Sequence, residues 1–278
     1  MRRRTWLGLA LAAMVSPRLA PVAAASRPLV AAHRGGALLW PENSLTAFRN
    51  ALALGADFLE TDVHLTADGE VVVLHDPTLD RTTTGSGPVV ARTKGDLSGL
   101  RLKGPNDAVT TDGVPTLAEL LGLLGGSSAR LLLEIKIDAN RQRYPGIEEK
   151  VLQQVTARGL LDRTPIMGFQ PETIRRVREL EPRAQTVLLV SRRYAERQRA
   201  SGPDIVRWTR DAGATVLGIQ HSALDARVVS AARSDGITVA AWTVNEEPDI
   251  QRAINLGADV IISDRPDLAL KLARQPVR

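Results

Sequence analysis

Short apolar runs rich in Val, Ile and Leu alternate with helix-like segments along almost the whole chain from residue 29 onward. A parallel sheet produces this alternation, because each crossover between parallel strands needs a connection of about a dozen residues, usually a helix. The runs with the length and composition of strands are 29–35, 58–65, 71–76, 130–137, 164–169, 185–190, 215–220, 238–244 and 259–264. The sequence therefore predicts an α/β fold with a parallel sheet.

The number of strand-and-helix units indicates which kind of parallel sheet the chain forms. Eight strand-and-helix units in roughly 250 residues match the size of a (β/α)8 TIM barrel. A doubly wound open sheet is the alternative, but no glycine-rich dinucleotide fingerprint follows the first strand. Residues 78–116 interrupt the rhythm and are rich in Thr, Gly and Asp. We expect them to form a small insertion after the second strand and its hairpin, lying over the site that the HDP segment at 75–77 helps to build.

The first 25 residues differ from the rest. A basic start, a short apolar stretch and an A-x-A pattern ending at Ala25 predict a cleavable signal peptide over 1–25, followed by a single barrel domain over 26–278. The apolar stretch is too short to span a bilayer. Arg3 and Arg4 resemble a twin-arginine export signal, so the general and the twin-arginine export routes both stay open. We expect an exported protein, periplasmic or secreted, without a stable membrane anchor.

Charge and cysteine content exclude several classes of function. The chain carries 36 Lys and Arg against 31 Asp and Glu, a net charge of +5, and without the four arginines of residues 1–25 the net charge is only +1. A nearly neutral protein lacks the clustered basic surface of a nucleic-acid binder. The Arg-rich stretch 191–199 is interleaved with Glu196 and is expected to be a solvated surface helix or loop. The absence of cysteine excludes disulfides, thiolate catalysis and cysteine-based zinc sites.

The strand FLETDVHL at 58–65 carries two acidic residues at alternate positions. Glu60 and Asp62 must share one face of the strand at close range. Such a pair is either the solvated face of an edge strand or part of a cation site that turns the repulsion into binding. Glu134 and Lys136 repeat the same spacing in the apolar run RLLLEIKI, where an unpartnered charged pair would be costly.

In a TIM barrel the C-terminal ends of the strands surround the mouth that holds the active site. Polar and aromatic residues follow or end many of the predicted strands and should therefore converge: His33, Arg34, Glu60, Asp62, His75, Asp76, Glu134, Lys136, Phe169, His221, Trp242 and Asp264.

A hairpin turn gives His75 a more specific position. If Asp68-Gly69 forms a two-residue turn, residue 62 pairs with residue 75, and His75 lies beside Asp62 on one face. The alternative is a histidine that only caps the loop before Pro77. His64 shares the parity of Asp62 but lies further out on the hairpin, and we expect it at the surface.

The converging carboxylates suggest a metal site. Glu60, Asp62 and Glu134 could hold one hard divalent cation, Mg²⁺ or Ca²⁺, through oxygen ligands. His33 and His75 are available for proton transfer near neutral pH.

Two cationic residues indicate the substrate. Arg34 and Lys136 can neutralise phosphate oxygens, so that the whole set suits cleavage of a phosphodiester. A carboxylate pair for glycoside hydrolysis would account for the acidic residues but leave the cationic ones without a role.

The motifs AHRGG, PENSLTAF, LETDVHLTADGEVVVLHDPTLDRTTTG, GVPTLAELL, LEIK, WTVN and GADVIISDRP follow one another over nearly all of the chain after residue 25. In this order they resemble the signature segments of the glycerophosphodiester phosphodiesterase family, in its exported bacterial form. The resemblance implies a TIM barrel that hydrolyses small glycerophosphodiesters to glycerol 3-phosphate and an alcohol with the help of one divalent cation.

The resemblance also implies a role for each matching residue. It makes His33 and His75 the catalytic pair, Glu60, Asp62 and Glu134 the metal ligands, and Arg34 and Lys136 the phosphate contacts. Phe169 and Trp242 resemble aromatic positions that line the substrate pocket, although each is also typical of barrel packing.

Several alternatives stay open. A lysophospholipase D or a cyclising phospholipase acting on lipid headgroups could use the same chemistry with an internal hydroxyl as nucleophile. A non-catalytic binding protein for glycerophosphodiesters or phosphate is a third hypothesis, but it predicts a damaged site, whereas every proposed polar residue is present. His221 could face the mouth and contact ligand, and Asp264 could orient a loop or a neighbouring cation, or cap the helix that follows. The alcohol, the preferred metal and the oligomeric state are not determined by the sequence.

Overall fold

The computed structural model describes residues 27–275. Within this range eight parallel strands close into a barrel: each strand pairs with its neighbours in the order of the chain, and the first strand pairs with both the second and the last. The predicted TIM barrel is confirmed, and the open-sheet alternative is wrong because the pairing has no free edge between the first and last barrel strands. Residues 1–25, which carry the predicted signal peptide, lie outside the described range.

The strands are β1 (Leu29–Ala32), β2 (Phe58–Leu65), β3 (Val71–Val73), β4 (Arg130–Ile135), β5 (Ile166–Gly168), β6 (Thr186–Val190), β7 (Val216–Gln220), β8 (Thr238–Trp242) and β9 (Val260–Ser263). The helices are α1 (Leu45–Leu54), α2 (Lys94–Leu97), α3 (Leu117–Gly125), α4 (Ile147–Ala157), α5 (Pro171–Leu180), α6 (Arg192–Arg197), α7 (Gly202–Asp211), α8 (Ala226–Ser234), α9 (Glu247–Leu256) and α10 (Pro266–Ala273). All strands except β3 belong to the closed barrel.

Alternate residues of the barrel strands point inward and form a small apolar interior. This inner cluster takes one or two residues from each barrel strand: Ala31, Phe58, Leu132, Met167, Val187, Leu189, Val216, Ala240, Val260 and Ile262. The remaining strand residues face outward and pack against the helices in two larger clusters. Because both faces of every barrel strand are covered, the strands read as continuous apolar runs, and buried polar residues within them stand out.

Two helices end at glycines that begin the short connection to the next strand. Gly55 follows α1 with a φ of 78° and Gly257 follows α9 with a φ of 90°. A residue with a side chain adopts this left-handed conformation only at a cost, so that glycine is the usual residue at this position. Both turns lie at the N-terminal end of the barrel, away from the predicted mouth.

The hairpin between β2 and β3 has a different turn from the predicted one. Val63 pairs with Val73 and Leu65 with Val71, so that residue 62 stands opposite residue 74 and not 75. Three residues, 67–69, connect the paired positions Thr66 and Glu70, with Gly69 at a φ of 81°. The predicted two-residue turn was wrong because Asp-Gly also fits a three-residue loop that ends in a left-handed glycine.

The segment 78–116 is an ordered insertion. It contains the short helix α2 and pairs of residues joined by isolated β-bridges, such as Thr83 with Leu102. A core of its own underlies it, made of Val72, Leu74, Leu79, Val89, Leu97, Leu102 and Val114. Because two of these residues come from the β2–β3 hairpin region, the insertion is anchored to the barrel next to His75. Among residues 27–275, no helix is long and apolar enough to cross a bilayer.

Candidate active site

Three carboxylates meet inside the barrel because β2 and β4 are neighbours. Glu60 and Asp62 point inward from β2, and the register pairs Asp62 with Glu134 of β4. All three residues are buried, and one carboxylate oxygen of each lies within 4.8 Å of the others. Oxygen atoms at this spacing could bind a metal ion. Neither Glu60 nor Asp62 is on a solvated edge strand.

The surroundings shift the pKa values of the three carboxylates in different directions. Burial raises the pKa of Glu60 to about 8, against the lowering effect of His33 and together with the negative charge of Asp62. Burial also raises the pKa of Glu134, although Lys136 opposes the shift. For Asp62 the balance is reversed: burial alone would raise its pKa, but Lys136, and after it His75 and Arg34, hold the pKa well below its usual range.

One oxygen of the cluster has no hydrogen-bond donor. Nζ of Lys136 lies 3.0 Å from Oε1 of Glu134 and 3.3 Å from Oδ1 of Asp62. The second contact is an ion pair without hydrogen-bond geometry, so that the buried Oδ1 of Asp62 accepts no hydrogen bond. A buried carboxylate oxygen in this state is costly unless a cation binds it. The donor set and this open oxygen therefore fit a hard divalent cation.

A strained turn after β1 brings His33 and Arg34 to the carboxylates. Arg34 has a φ of 51°, in the left-handed region, and its backbone N–H donates to Oε2 of Glu60 at 2.8 Å. The next residue, Gly35, has a φ of 81°, and a Cβ atom there would lie 2.7 Å from the Cβ of Ala47 in α1. Such strain concentrates at functional sites. The turn can pack so closely on α1 only because residue 35 is glycine.

Two interactions orient the imidazole of His33. Its Nδ1 lies 2.6 Å from Oδ1 of Asp264, and since a carboxylate accepts, Nδ1–H is the donor. The other ring atom, Nε2, lies 3.9 Å from Oε2 of Glu60. Burial alone would lower the pKa of His33, but Glu60 and the hydrogen bond to Asp264 raise it above its usual value. Glu60 raises the pKa of His33 whereas His33 lowers that of Glu60, so the protonation of each group depends on the other.

His75 is held from two sides just beyond β3. Its Nδ1–H donates to Oδ1 of Asp76 at 2.7 Å, which leaves Nε2 free of that contact. Its backbone carbonyl accepts a hydrogen bond from Nε2 of His64 at 3.0 Å. His75 therefore reaches the site although the predicted hairpin register was wrong, because residues 74 and 75 continue past the end of β3 toward the mouth.

One cavity at the mouth collects the predicted residues. Its polar lining includes His33, Arg34, Glu60, His75, Glu134 and Lys136, and its apolar lining includes Met167, Phe169, Leu189, Trp242 and Ile262. Asp62 lies beneath this lining in the carboxylate cluster. The rings of Phe169 and Trp242 are in edge-to-face contact, with centroids 5.5 Å apart. The sequence therefore identified residues that the fold brings together, while their roles as catalytic, metal-binding and phosphate-binding groups stay predictions.

The other two histidines, His64 and His221, do not line the cavity. His64 is fully buried, so the surface position expected for it was wrong. Its Nδ1 lies 2.8 Å from the hydroxyl of Tyr144, and the two ring atoms are thus both hydrogen-bonded. The desolvation of a buried imidazole lowers its pKa to about 4. His221 is not part of the cavity lining and has Asp249 at 3.7 Å as its nearest acid.

Two further residues, Asn43 and Asp264, orient side chains of the site. Asn43 is fully buried, and its Nδ2 donates to Oδ2 of Asp62 at 3.0 Å while its Oδ1 accepts from the hydroxyl of Thr61 at 2.8 Å. Its place in the PEN motif was the available signal. Asp264 orients His33, and it makes no capping hydrogen bond to α10. The sequence left open whether Asp264 orients a loop or a neighbouring cation, or caps the helix that follows.

A closed parallel barrel with a carboxylate cluster, two oriented imidazoles and two cationic side chains at its mouth has the arrangement of a TIM-barrel enzyme active site. Comparison with known proteins narrows this class. The sequence model of the glycerophosphoryl diester phosphodiesterase family matches residues 33–268. The chain belongs to this family, and the recognition made from the motifs is confirmed together with the enzyme class, a phosphoric diester hydrolase.

Individual relatives agree with the family. The chain is 31% identical over 255 residues to a glycerophosphodiester phosphodiesterase of Caldanaerobacter subterraneus subsp. tengcongensis, covering 90% of this chain and 99% of the relative. A crystal structure of a putative glycerophosphoryl diester phosphodiesterase from Agrobacterium tumefaciens superposes with a TM-score of 0.81 at 26% identity, over 90% of this chain and 97% of that one. An Oleispira antarctica phosphodiesterase solved in complex with the product sn-glycerol-3-phosphate has a TM-score of 0.73 at 26% identity, over 90% and 98% of the two chains.

Proposed function

We propose that the protein is a metal-dependent enzyme that hydrolyses glycerophosphodiesters to glycerol 3-phosphate and an alcohol. The observation that carries the proposal is the carboxylate cluster of Glu60, Asp62 and Glu134, which borders the same cavity as the imidazoles of His33 and His75. The product bound in the Oleispira antarctica relative supports the choice of substrate.

Glu60, Asp62 and Glu134 would hold one divalent cation, either Mg²⁺ or Ca²⁺, since both prefer oxygen ligands. When bound, the cation would screen the negative charge of the phosphodiester and of the transition state. The open oxygen of Asp62 supports this assignment. Asn43, which donates to the other oxygen of Asp62, would keep that carboxylate in one orientation.

His33 and His75 would move the two protons of the reaction. Attack by water forms a P–O bond and breaks the bond to the alcohol, so that one proton must leave the water and one must reach the departing oxygen. Each imidazole donates through Nδ1 to a carboxylate, His33 to Asp264 and His75 to Asp76, so that in each ring Nε2 is the atom that can exchange a proton with substrate. One imidazole acts as base and the other as acid.

The remaining cavity residues would bind the substrate. Arg34 and Lys136 supply positive charge for the phosphate oxygens, and the guanidinium is already held by Glu42 and Asp62 at 3.2 Å and 3.5 Å. Phe169 and Trp242 present apolar surface for the carbon atoms of the substrate. Lysophospholipase D or cyclising activity on lipid headgroups is the competing function within the same chemistry.

The test uses the purified protein without residues 1–25, with glycerophosphocholine as substrate. We expect release of glycerol 3-phosphate that EDTA abolishes and that Mg²⁺ or Ca²⁺ restores, and we expect His33→Ala to abolish turnover. Normal turnover after complete metal removal, or in the His33→Ala variant, would contradict the mechanism. Product analysis in oxygen-18 water separates hydrolysis from cyclisation, because a cyclic product carries no solvent oxygen.

We also propose that the protein is exported and that residues 1–25 are removed on the way. The basic start, the apolar stretch and the A-x-A pattern at Ala25 support this proposal. N-terminal sequencing of the protein recovered from the periplasm or the medium should begin at Ser26. Recovery of the uncleaved chain from the cytoplasm alone would contradict it.

A further inference from the structure

Arg81, at the start of the insertion, bridges two acidic residues from different loops of the mouth. Its Nη1 and Nη2 donate to the two carboxylate oxygens of Glu42, each at 2.8 Å. Its Nε and Nη2 donate to the two carboxylate oxygens of Asp76, at 2.7 Å and 2.9 Å. Two bidentate contacts use the planar fork of the guanidinium on both sides, a geometry that a lysine cannot reproduce.

Each of these acids is also the partner of a residue that lines the cavity. Oδ1 of Asp76 accepts from Nδ1 of His75 at 2.7 Å, and Oε1 of Glu42 accepts from Nη1 of Arg34 at 3.2 Å. Arg81 is thus the central member of a continuous chain of hydrogen bonds from His75 to Arg34. Neither the HRG nor the HDP segment contains it, and it contacts neither the carboxylate cluster nor the cavity.

The exposure of the three side chains argues against a role in stability alone. The side chain of Arg81 is 48% exposed, whereas those of Asp76 and Glu42 are 24% and 13% exposed. Water screens ion pairs to a half-exposed group, so that only their bidentate geometry gives them strength. The bidentate contacts of Arg81 also fix the orientation of the two less exposed carboxylates.

We propose that Arg81 is a positioning residue, which holds Asp76 and Glu42 so that Nε2 of His75 and the guanidinium of Arg34 face the cavity together. With Asp76 fixed, the ring of His75 keeps its proton on Nδ1. With Glu42 fixed, Arg34 stays directed at the phosphate side of the cavity. The insertion thereby acts on the reaction through one side chain. Because it assigns a role inside the same site, this inference rests on the proposed function.

The kinetic test compares Arg81→Ala and Arg81→Lys with the wild-type protein, each loaded with metal and assayed on glycerophosphocholine. We expect Arg81→Ala to lower kcat by at least about tenfold and to raise KM, because both His75 and Arg34 lose their orientation. Arg81→Lys keeps the charge without the fork and should recover only part of the loss. Since the side chain is half exposed, added methylguanidinium should reach the gap in Arg81→Ala and restore activity there.

The matched control is Arg175→Ala on α5. Its side chain is also 48% exposed and also ion-paired, to Glu172 at 3.0 Å, but it is not among the residues that line the cavity. This variant should keep wild-type kinetics and gain nothing from methylguanidinium.

A spectroscopic test does not depend on turnover. The chain has four histidines, so ¹⁵N signals of the imidazoles can be assigned with single substitutions. We expect His75 to be the Nδ1–H tautomer in the wild-type protein and a mixture of tautomers in Arg81→Ala. An unchanged tautomer, or a kcat/KM of Arg81→Ala within about twofold of wild type, would overturn the inference while leaving the proposed function intact. An inactive wild-type protein would instead contradict the proposed function, and the tautomer of His75 would still decide the role of Arg81.

Discussion

Nδ1 of His33 lies 2.6 Å from Oδ1 of Asp264, although the two residues are 231 positions apart in the chain. The closure of the barrel brings them together, because Ala32 at the end of β1 pairs with Ser263 at the end of β9. Asn245 fixes the acid in turn: its Nδ2 donates to Oδ2 of Asp264 at 2.7 Å, and its Oδ1 accepts from the backbone N–H of Asp264 at 2.9 Å. His33 is therefore oriented from the far end of the sequence.

Replacing this acid tests the orientation of His33. We expect Asp264→Asn to lower kcat by about 10²-fold, in the range typical of a lost acid–base contribution, because the amide can also donate and no longer fixes the proton on Nδ1. Steady-state release of glycerol 3-phosphate measures the effect. Asp267→Asn is the control, since that acid pairs with Arg265 at the surface. A kcat equal to that of the control would show that the hydrogen bond has no part in turnover.

Metal binding should expel protons from the site. Without metal, burial raises the pKa of Glu60 to about 8, and its partner His33 also has a raised pKa, so that near pH 7 the pair retains a proton that a metal ligand must lose. We expect release of about one proton per cation at pH 7 and little release at pH 9, with affinity rising between them. Calorimetric titration of Mg²⁺ and Ca²⁺ in buffers of different ionisation enthalpy measures this number.

Glu60→Gln provides the comparison for that measurement. The variant lacks the titrating carboxylate and should bind the cation more weakly, with little change in proton release between pH 7 and pH 9. If the wild-type protein released no proton at pH 7, Glu60 would be ionised without metal or would not be a ligand.

The barrel could be predicted because it depends on a repeated local pattern. Apolar runs of strand length recur with helices between them, and the closed parallel sheet buries both faces of each run, so pattern and fold agree residue by residue. The two acidic residues of β2, Glu60 and Asp62, were predicted to share a face for the same reason. The strands end earlier than their apolar runs, which places His33 and His75 in turns beyond β1 and β3.

The errors and omissions arise from contacts distant in sequence and from one ambiguous local turn. The burial of His64 depends on Tyr144, 80 positions further on, and the spacing along β2 contains no signal of that partner. The position of His75 was reached through a wrong register, because one dipeptide, Asp68-Gly69, serves turns of two lengths. Arg81 contacts Glu42 across 39 positions, and only the folded insertion shows that it bridges two loops.

His64 should make the protein less stable in mild acid. Desolvation lowers its pKa to about 4 in the folded state, below the unfolded value of 6.5, so the unfolded chain binds the proton more tightly. The contribution to stability is full above about pH 6.5 and falls as the pH drops toward 4, by about 3 kcal/mol in total for this shift. Urea unfolding at pH 7 and pH 4.5 measures the loss.

His64→Gln is the variant that isolates this effect. Glutamine can still donate to the carbonyl of His75 but does not titrate, so the variant should be less stable at pH 7 and should lose less stability on acidification than wild type. An equal loss in both proteins would mean that the imidazole is not held neutral in the folded state. The acidic residues contribute equally to both proteins and cancel in the comparison.

Phe169 should contribute to substrate binding and little to folding. Its ring packs edge-to-face on Trp242 at the border of the cavity and is 40% exposed, so the free protein has little to lose when the ring is removed. We expect Phe169→Ala to raise KM about fivefold, equivalent to about 1 kcal/mol of apolar contact with substrate, while kcat stays within about twofold.

Leu180→Ala, with 37% exposure at the end of α5, is the control and should leave both constants unchanged. Kinetics on glycerophosphocholine and thermal unfolding of both variants measure the two effects. A fall in kcat at constant KM would show that Phe169 acts on the reacting groups, and an unchanged KM would show that the substrate does not reach this side of the cavity.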